Sequence, residues 1–286
     1  MTTLHRILAA SNPLLKCFNY VARKIKVKGL SELRVLLYHE ISIDEQETFK
    51  LHLEQLSQNW SFITPQVFEE MLSGKKEIVG KNLLLTFDDG FCSNRRVAED
   101  VLDPMGIKAL FFIISDFPSQ GKTEEIKEFV AKNILPHLSP GQVPSEWRPM
   151  TWDDIFNLLE NGHSIGSHTR THARLSKLTN LDELQDEIIN SKLIIEKKLG
   201  KKVKHFAYTF GDIASFNKEA LNIANEHYGF IHTGLRGSNI NSPAWAIRRD
   251  ALSPENPYNL VSSLLEGGAD LLYKKKIKLY ESWADK

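Results

Sequence analysis

The chain has too little cysteine, too short an apolar run and too even a charge balance for several protein classes. Its 286 residues include 2 cysteines, which excludes a disulfide scaffold and a Cys-rich zinc cluster. The longest apolar run, residues 109–114, is far short of the roughly 20 residues that a membrane span needs. The 36 basic and 36 acidic side chains cancel, whereas a general nucleic-acid binder carries a basic excess. No nucleic-acid partner is therefore expected. There is no internal repeat and no low-complexity tract. What is present is globular: 42% hydrophobic and 25% charged residues, too apolar a mixture to stay disordered.

Acidic residues are also missing from residues 1–31, which carry Arg6, Lys16, Arg23, Lys24, Lys26 and Lys28. Apolar residues from Leu4 to Ile25 recur near helical spacing, with Pro13 in their midst. Lys16 breaks the apolar stretch, so the segment does not read as a signal peptide. The ordinary reading is a helix with one face packed on the body. The sharper reading is peripheral contact with an anionic leaflet. The expected location is the cytoplasm, or the inner membrane face if that contact is made.

From residue 32 onward, one domain is expected, with strands and helices in alternation. Strands are expected over 33–38, 83–87, 109–114, 164–167, 205–208 and 230–233. Helices are expected around Phe49–Leu56 and over 65–72, 95–102, 153–159, 181–199, 218–225 and 259–265. Thr151 is placed as an N-cap, and Gly200 closes the long helix. Residues 115–149 read as an insertion, with Trp147 and Arg148 as candidates for a lid over sugars. The tail after Tyr273 has no clear assignment. Such alternation implies parallel strands, in a barrel or a doubly wound sheet. In both, chemistry gathers at the carboxyl ends of the strands. Asp88 and Asp89, His168 and His172, His39 and His232 all follow strands.

Two clusters carry the chemistry. In Thr86-Phe87-Asp88-Asp89-Gly90, adjacent carboxylates repel unless they share a cation or proton. A divalent metal resolves this: one carboxylate binds it and the other serves as a base. In Ser167-His168-Thr169-Arg170-Thr171-His172, histidines four apart are expected on one side of a helical turn, where both can reach one ion. Two His and one Asp leave open positions, as in a catalytic metal site. The set suits zinc, and also iron, cobalt, nickel or manganese. Cys92 reads as a small buried residue rather than a ligand.

The two motifs together resemble the first two motifs of the polysaccharide deacetylases, the carbohydrate esterase family 4 or NodB-homology group. Phe206-Ala207-Tyr208-Thr209-Phe210-Gly211 resembles the third. The likeness spans roughly residues 33–250. It implies an α/β fold, a distorted (β/α)7 barrel, and hydrolysis of N-acetyl groups on sugars. It also implies roles: Asp88 as general base for a metal-activated water, and Asp89, His168 and His172 as metal ligands. Tyr208 would lend its backbone N–H to the oxyanion. Arg248 or Arg249 would sit beside the catalytic Asp.

The sequence departs from the pattern twice. Thr209 stands where the third motif usually has Pro. The late Leu-x-His motif that supplies the family's acid is missing, but Leu37-Tyr38-His39 matches it near the start. A circular permutation of a closed barrel would leave His39 at the same rim, so His39 is the favoured acid and His232 its rival. The expected substrate is an N-acetylated sugar of a surface polysaccharide or glycolipid precursor. The alternatives are deformylation or O-deacetylation on the same fold, or idle glycan binding.

Overall fold

The computed structural model describes residues 2–25 and 31–284. Lys26 and Lys28 of the basic segment lie outside them. Helix α1 (Thr3–Lys24) precedes the barrel. There follow β1 (Glu32–Tyr38), α2 (Gln46–Ser57), β2 (Ser61–Phe62), α3 (Pro65–Leu72), β3 (Lys81–Phe87), α4 (Cys92–Val97) and β4 (Leu110–Ile113). The next elements are α5 (Thr123–Phe129), α6 (Trp152–Glu160), β5 (Ser164–Ser167), α7 (Leu181–Gln185), α8 (Ser191–Leu199) and β6 (His205–Ala207). The chain ends through α9 (Lys218–His227), β7 (Phe230–His232), β8 (Asp250–Ala251), α10 (Tyr258–Leu265) and α11 (Asp270–Glu281).

Local sequence explains several boundaries. Thr64 caps α3 by accepting from Val67 N–H, and Pro65 fills the first turn. Thr151 and Asp154 form a reciprocal capping box on α6. Gly200 takes φ +63° and ends α8. The long helix expected over 181–199 is three pieces, because residues 186–190 open into a wider turn between α7 and α8. The tail after Tyr273 belongs to α11. Two-residue strands β2 and β8 were too short to give a periodic signal.

All pairings between named strands are parallel, in the order β7-β6-β5-β4-β3-β1-β8, with β2 also on β3. Residues 247–251 close the ring. Ile247 exchanges backbone bonds with β7, its N–H reaching Ile231 O at 2.9 Å and its carbonyl accepting from Thr233 N–H at 2.8 Å. Three residues on, Asp250 and Ala251 pair with Leu36 and Leu37 of β1. The fold is a distorted (β/α)7 barrel in which first and last strands are neighbours, as the expected placement of His39 requires.

Side chains alternate across the barrel wall. Leu36, Tyr38, Leu85, Phe87, Phe111, Ile113 and Phe206 point outward into the helix layer. Leu33, Val35, Leu84 and Ile247 pack with Phe68 of α3, which plugs the amino end. Leu110, Phe112 and Ala207 form a second inner patch. The same parity carries Asp88 and His168 toward the axis. Inner space is tight at Gly166, where a Cβ would come within 2.5 Å of the Phe112 ring. Gly166→Ala is expected to cost about 1–3 kcal/mol by overpacking, measured as a lower denaturation midpoint. Phe112→Leu in the same chain should recover part of the loss.

Candidate metal centre and catalytic rim

β3 continues for one residue beyond its last pair, as Asp88 N–H donates to Tyr38 O at 2.9 Å. The chain then turns sharply. Asp89 adopts φ +73° and Gly90 φ +85°. Asp tolerates the left-handed region better than most residues. The turn sends Asp88 and Asp89 to different partners.

Asp88 is clamped. Arg249 Nη1 and Nη2 donate to its two carboxylate oxygens at 2.7 and 2.9 Å. Arg249 Nε donates to Thr233 O at 2.9 Å, and the guanidinium lies 5.1 Å from the Phe112 ring centroid. Burial pushes the Asp88 carboxyl up, but Arg249 and then His168 hold it below the usual carboxylate range. The expectation for Arg248 or Arg249 is thereby resolved. Arg248 donates to Ser238 O and to Glu281, away from Asp88. Its side chain faces α11 because it leaves the strand with the opposite parity.

Asp89, His168 and His172 converge, with one candidate ligand atom from each lying within 4.8 Å of the others. Asp89 Oδ1 is buried, and no hydrogen-bond partner reaches it among the described residues. It lies 3.5 Å from His168 Nε2 and 3.4 Å from His172 Nε2. Both imidazoles use their other nitrogen elsewhere. His168 Nδ1 bonds Ala207 O at 2.9 Å, and His172 Nδ1 bonds Asn133 O at 2.8 Å. Both Nε2 atoms are thus left facing the carboxylate, the arrangement metal-binding histidines use. Burial lowers the His172 pKa to about 4, against the pull of Asp89, which keeps the ring neutral and able to ligate. This donor set fits a divalent cation.

The two histidines do not share a helical turn. Residues 168–172 form a loop in which Thr169 (φ +64°) and His172 (φ +68°) are left-handed. Buried Glu187 holds the loop, accepting from Arg170 N–H at 3.0 Å, Thr171 N–H at 2.9 Å and the Thr171 hydroxyl at 2.6 Å. Ser191 donates to Thr169 O at 2.8 Å. The two imidazoles still meet, through a turn held from outside rather than through a helix.

Residues 115–149 form an ordered unit with its own apolar cluster, including Phe117, Ile126, Val130 and Ile134. Trp147 packs on Phe91 at 5.8 Å between ring centroids, so it anchors the segment. Asn133 O, from this unit, orients His172. Cys92 Sγ lies against Glu146 O, apart from the ligand set.

Tyr208 does not offer a free amide. Its N–H donates to His232 O at 3.1 Å, and its buried ring stacks on Phe216. Phe210, two residues on, sits at φ +60° with its ring 4.6 Å from the His172 ring. Its N–H has no protein acceptor among the described residues. Arg174 stacks over the Phe210 ring at 4.3 Å. The resemblance implies a backbone donor at Tyr208, but the N–H that is left without a protein acceptor among the described residues is that of Phe210. Thr209 replaces the proline constraint with a bond, its hydroxyl donating to Ala173 O at 2.6 Å.

His39 lies at the rim, exposed, near enough to Asp88 and His172 for a positive charge there to be felt at both. His232 is fully buried inside the barrel. Its Nε2 is 3.1 Å from His205 Nδ1, and His205 Nε2 is 3.1 Å from Glu69. Burial, then His205 and Arg249, drive its pKa well below the usual value, so it stays neutral.

A family model described as polysaccharide deacetylase matches residues 75–229, more than half of the chain. The protein YxkH of Bacillus subtilis (strain 168), classed by name among polysaccharide deacetylases, is 28% identical over 239 residues, covering 80% of this chain and 75% of its own. The fold is similar to that of the Streptococcus pyogenes deacetylase PplD, solved in complex with acetate. That match has TM-score 0.64 and 21% identity, and covers 82% of this chain and 98% of the other. IcaB from Ammonifex degensii has the same TM-score of 0.64 at 24% identity, covering 82% and 97% of the two chains.

Removing one partner of the buried Arg249–Asp88 pair strands the other charge. Arg249→Leu is expected to cost about 3–5 kcal/mol in chemical denaturation. Adding Asp88→Asn should restore much of that loss, and a double-mutant cycle reads the coupling.

Proposed function

The chain belongs to the polysaccharide deacetylase family, and from that premise we propose that it removes N-acetyl groups from a sugar of a surface polysaccharide or glycolipid precursor, with one divalent cation. The convergence of Asp89, His168 and His172, with Asp89 Oδ1 buried and without a hydrogen bond among the described residues, carries this reading. Zinc suits the set, with nickel, cobalt, iron or manganese as alternatives. A cation held there supplies Lewis acidity toward the amide carbonyl and toward water.

The chain's own residues do the rest. Asp88, held ionised and aimed by Arg249, takes a proton from the attacking water. Water oxygen adds to the acetyl carbon. The Phe210 N–H, rather than that of Tyr208, donates to the carbonyl oxygen as it gains charge, a contribution of about 3 kcal/mol in comparable sites. The C–N bond breaks, and His39 protonates the leaving amine. The products are acetate and a free amino sugar. The exposed rim position of His39 supports that role, while the burial of His232 speaks against it.

Elemental analysis is expected to find about one divalent ion per chain, lost in Asp89→Asn and in His168→Ala. Acetate release from N-acetylated oligosaccharides should accompany it. No stoichiometric ion after reconstitution with zinc would sink the proposal. His39→Ala should keep its ion and lose at least about 100-fold in turnover; wild-type turnover would remove His39 from the mechanism.

Glu187→Ala removes the acceptor that shapes the histidine loop. It should weaken zinc affinity roughly 10–100-fold, as outer partners of ligands do. Unchanged affinity by calorimetric titration would reject that role.

A further inference from the structure

Helix α1 packs along α10, but not through its richest apolar stripe. The buried positions are Leu8, Asn12, Asn19 and Ala22, half of them polar. The Asn19 amide donates to the backbone and the carboxylate of Glu266, both at 2.9 Å. A second stripe, Leu4, Ile7, Leu14, Phe18, Val21 and Ile25, faces outward, each residue 46–76% exposed. Scattered exposed leucines need no explanation, but a continuous stripe along a whole helix does. The basic residues Arg6, Lys16 and Lys24 are exposed on the same helix, and no acidic residue occurs in residues 1–31.

The surface extends beyond α1. Leu15 packs against Gly268, in the turn that leads into α11. There Leu271 and Leu272 are 82% and 56% exposed, and Lys274, Lys275, Lys276 and Lys278 follow, also exposed.

We propose that this face is a docking surface for a bilayer rich in anionic lipid, with α1 lying in the plane of the interface. An outward apolar stripe on a helix that carries basic residues and no acid matches what such surfaces require. No helix among the described residues is long and apolar enough to cross a membrane, which leaves the interfacial mode. Charge argues against a second copy as the occupant, since pairing two acid-free basic helices sets like charges together. Glu266, which holds Asn19, also pairs with Lys81 at the amino end of β3. The surface is thus tied to the pole opposite the catalytic rim.

The test is co-sedimentation of the full chain with vesicles. Vesicles of equal parts phosphatidylcholine and phosphatidylglycerol should pellet the protein, phosphatidylcholine alone should not, and salt should weaken binding. Leu14→Asp with Phe18→Asp, both at exposed positions, should lower partitioning by at least about tenfold. The thermal midpoint and zinc content should not change. Absence of binding to anionic vesicles, or equal binding by the variant, would overturn the proposal. So would a dimer in sedimentation velocity that the same variant dissolves while vesicle binding is absent, which would assign the stripe to a second copy. These readouts do not depend on deacetylation.

Discussion

The bidentate pair of Arg249 and Asp88 ties the closing segment of the barrel to the strand end that carries the chemistry. Both groups are buried. Desolvation of two such charges takes back most of what their attraction gives, so the pair is better understood as fixing position than as adding stability. Its third bond, to Thr233 O, extends the tie to the end of β7. Residues 247–251 hold β7 on one side and β1 on the other through few backbone bonds. A guanidinium that fits only one carboxylate gives this short splice a defined register. The same contact aims Asp88.

Around that tie, the backbone is held in conformations that cost energy. Of the five non-glycine residues with positive φ among those described, Asp89, Thr169, His172 and Phe210 sit at the candidate metal centre or its rim, and Asn241 lies outside it. Each of those four persists because neighbours over-determine it. Glu187 and Ser191 fix the histidine loop, Asn133 O sets the His172 ring, and the Thr209 hydroxyl pins the turn before Phe210. Asn133 belongs to residues 115–149, so that unit takes part in shaping the ligand set. Trp147 and Phe117 of that unit pack on Phe91 and so tie it to the start of α4.

The legible parts of the sequence were those whose physics is local. Apolar runs marked the strands, and Thr151 and Gly200 marked helix ends, because propensity and capping act within a few residues. The acid and histidine pairs pointed to the residues that converge, Asp89, His168 and His172. What stayed hidden depends on contacts between distant segments. Arg248 and Arg249 are indistinguishable until strand parity at residues 247–251 is known. The resemblance implies a free backbone N–H at Tyr208, yet that N–H belongs to the ladder with β7. His-x-x-x-His fits a helix by spacing alone, and the loop that replaces it is held by Glu187 and Ser191, 15 or more residues away.

Helix α1 shows the same limit at larger scale. Its periodicity gives two stripes, and nothing local decides which one packs. Burial of the more apolar stripe would be the usual outcome. Here the choice is made by Glu266, a carboxylate at the end of α10 that also needs Lys81 and finds further donors in Asn19. The Asn19 amide gives the Glu266 carbonyl and carboxylate hydrogen bonds that a leucine at the same place could not. The polar stripe therefore turns inward, and the apolar one is left for another surface. Because Lys81 opens β3 and Asp88 follows its end, a strand length separates that surface from the rim, and covering one leaves the other open.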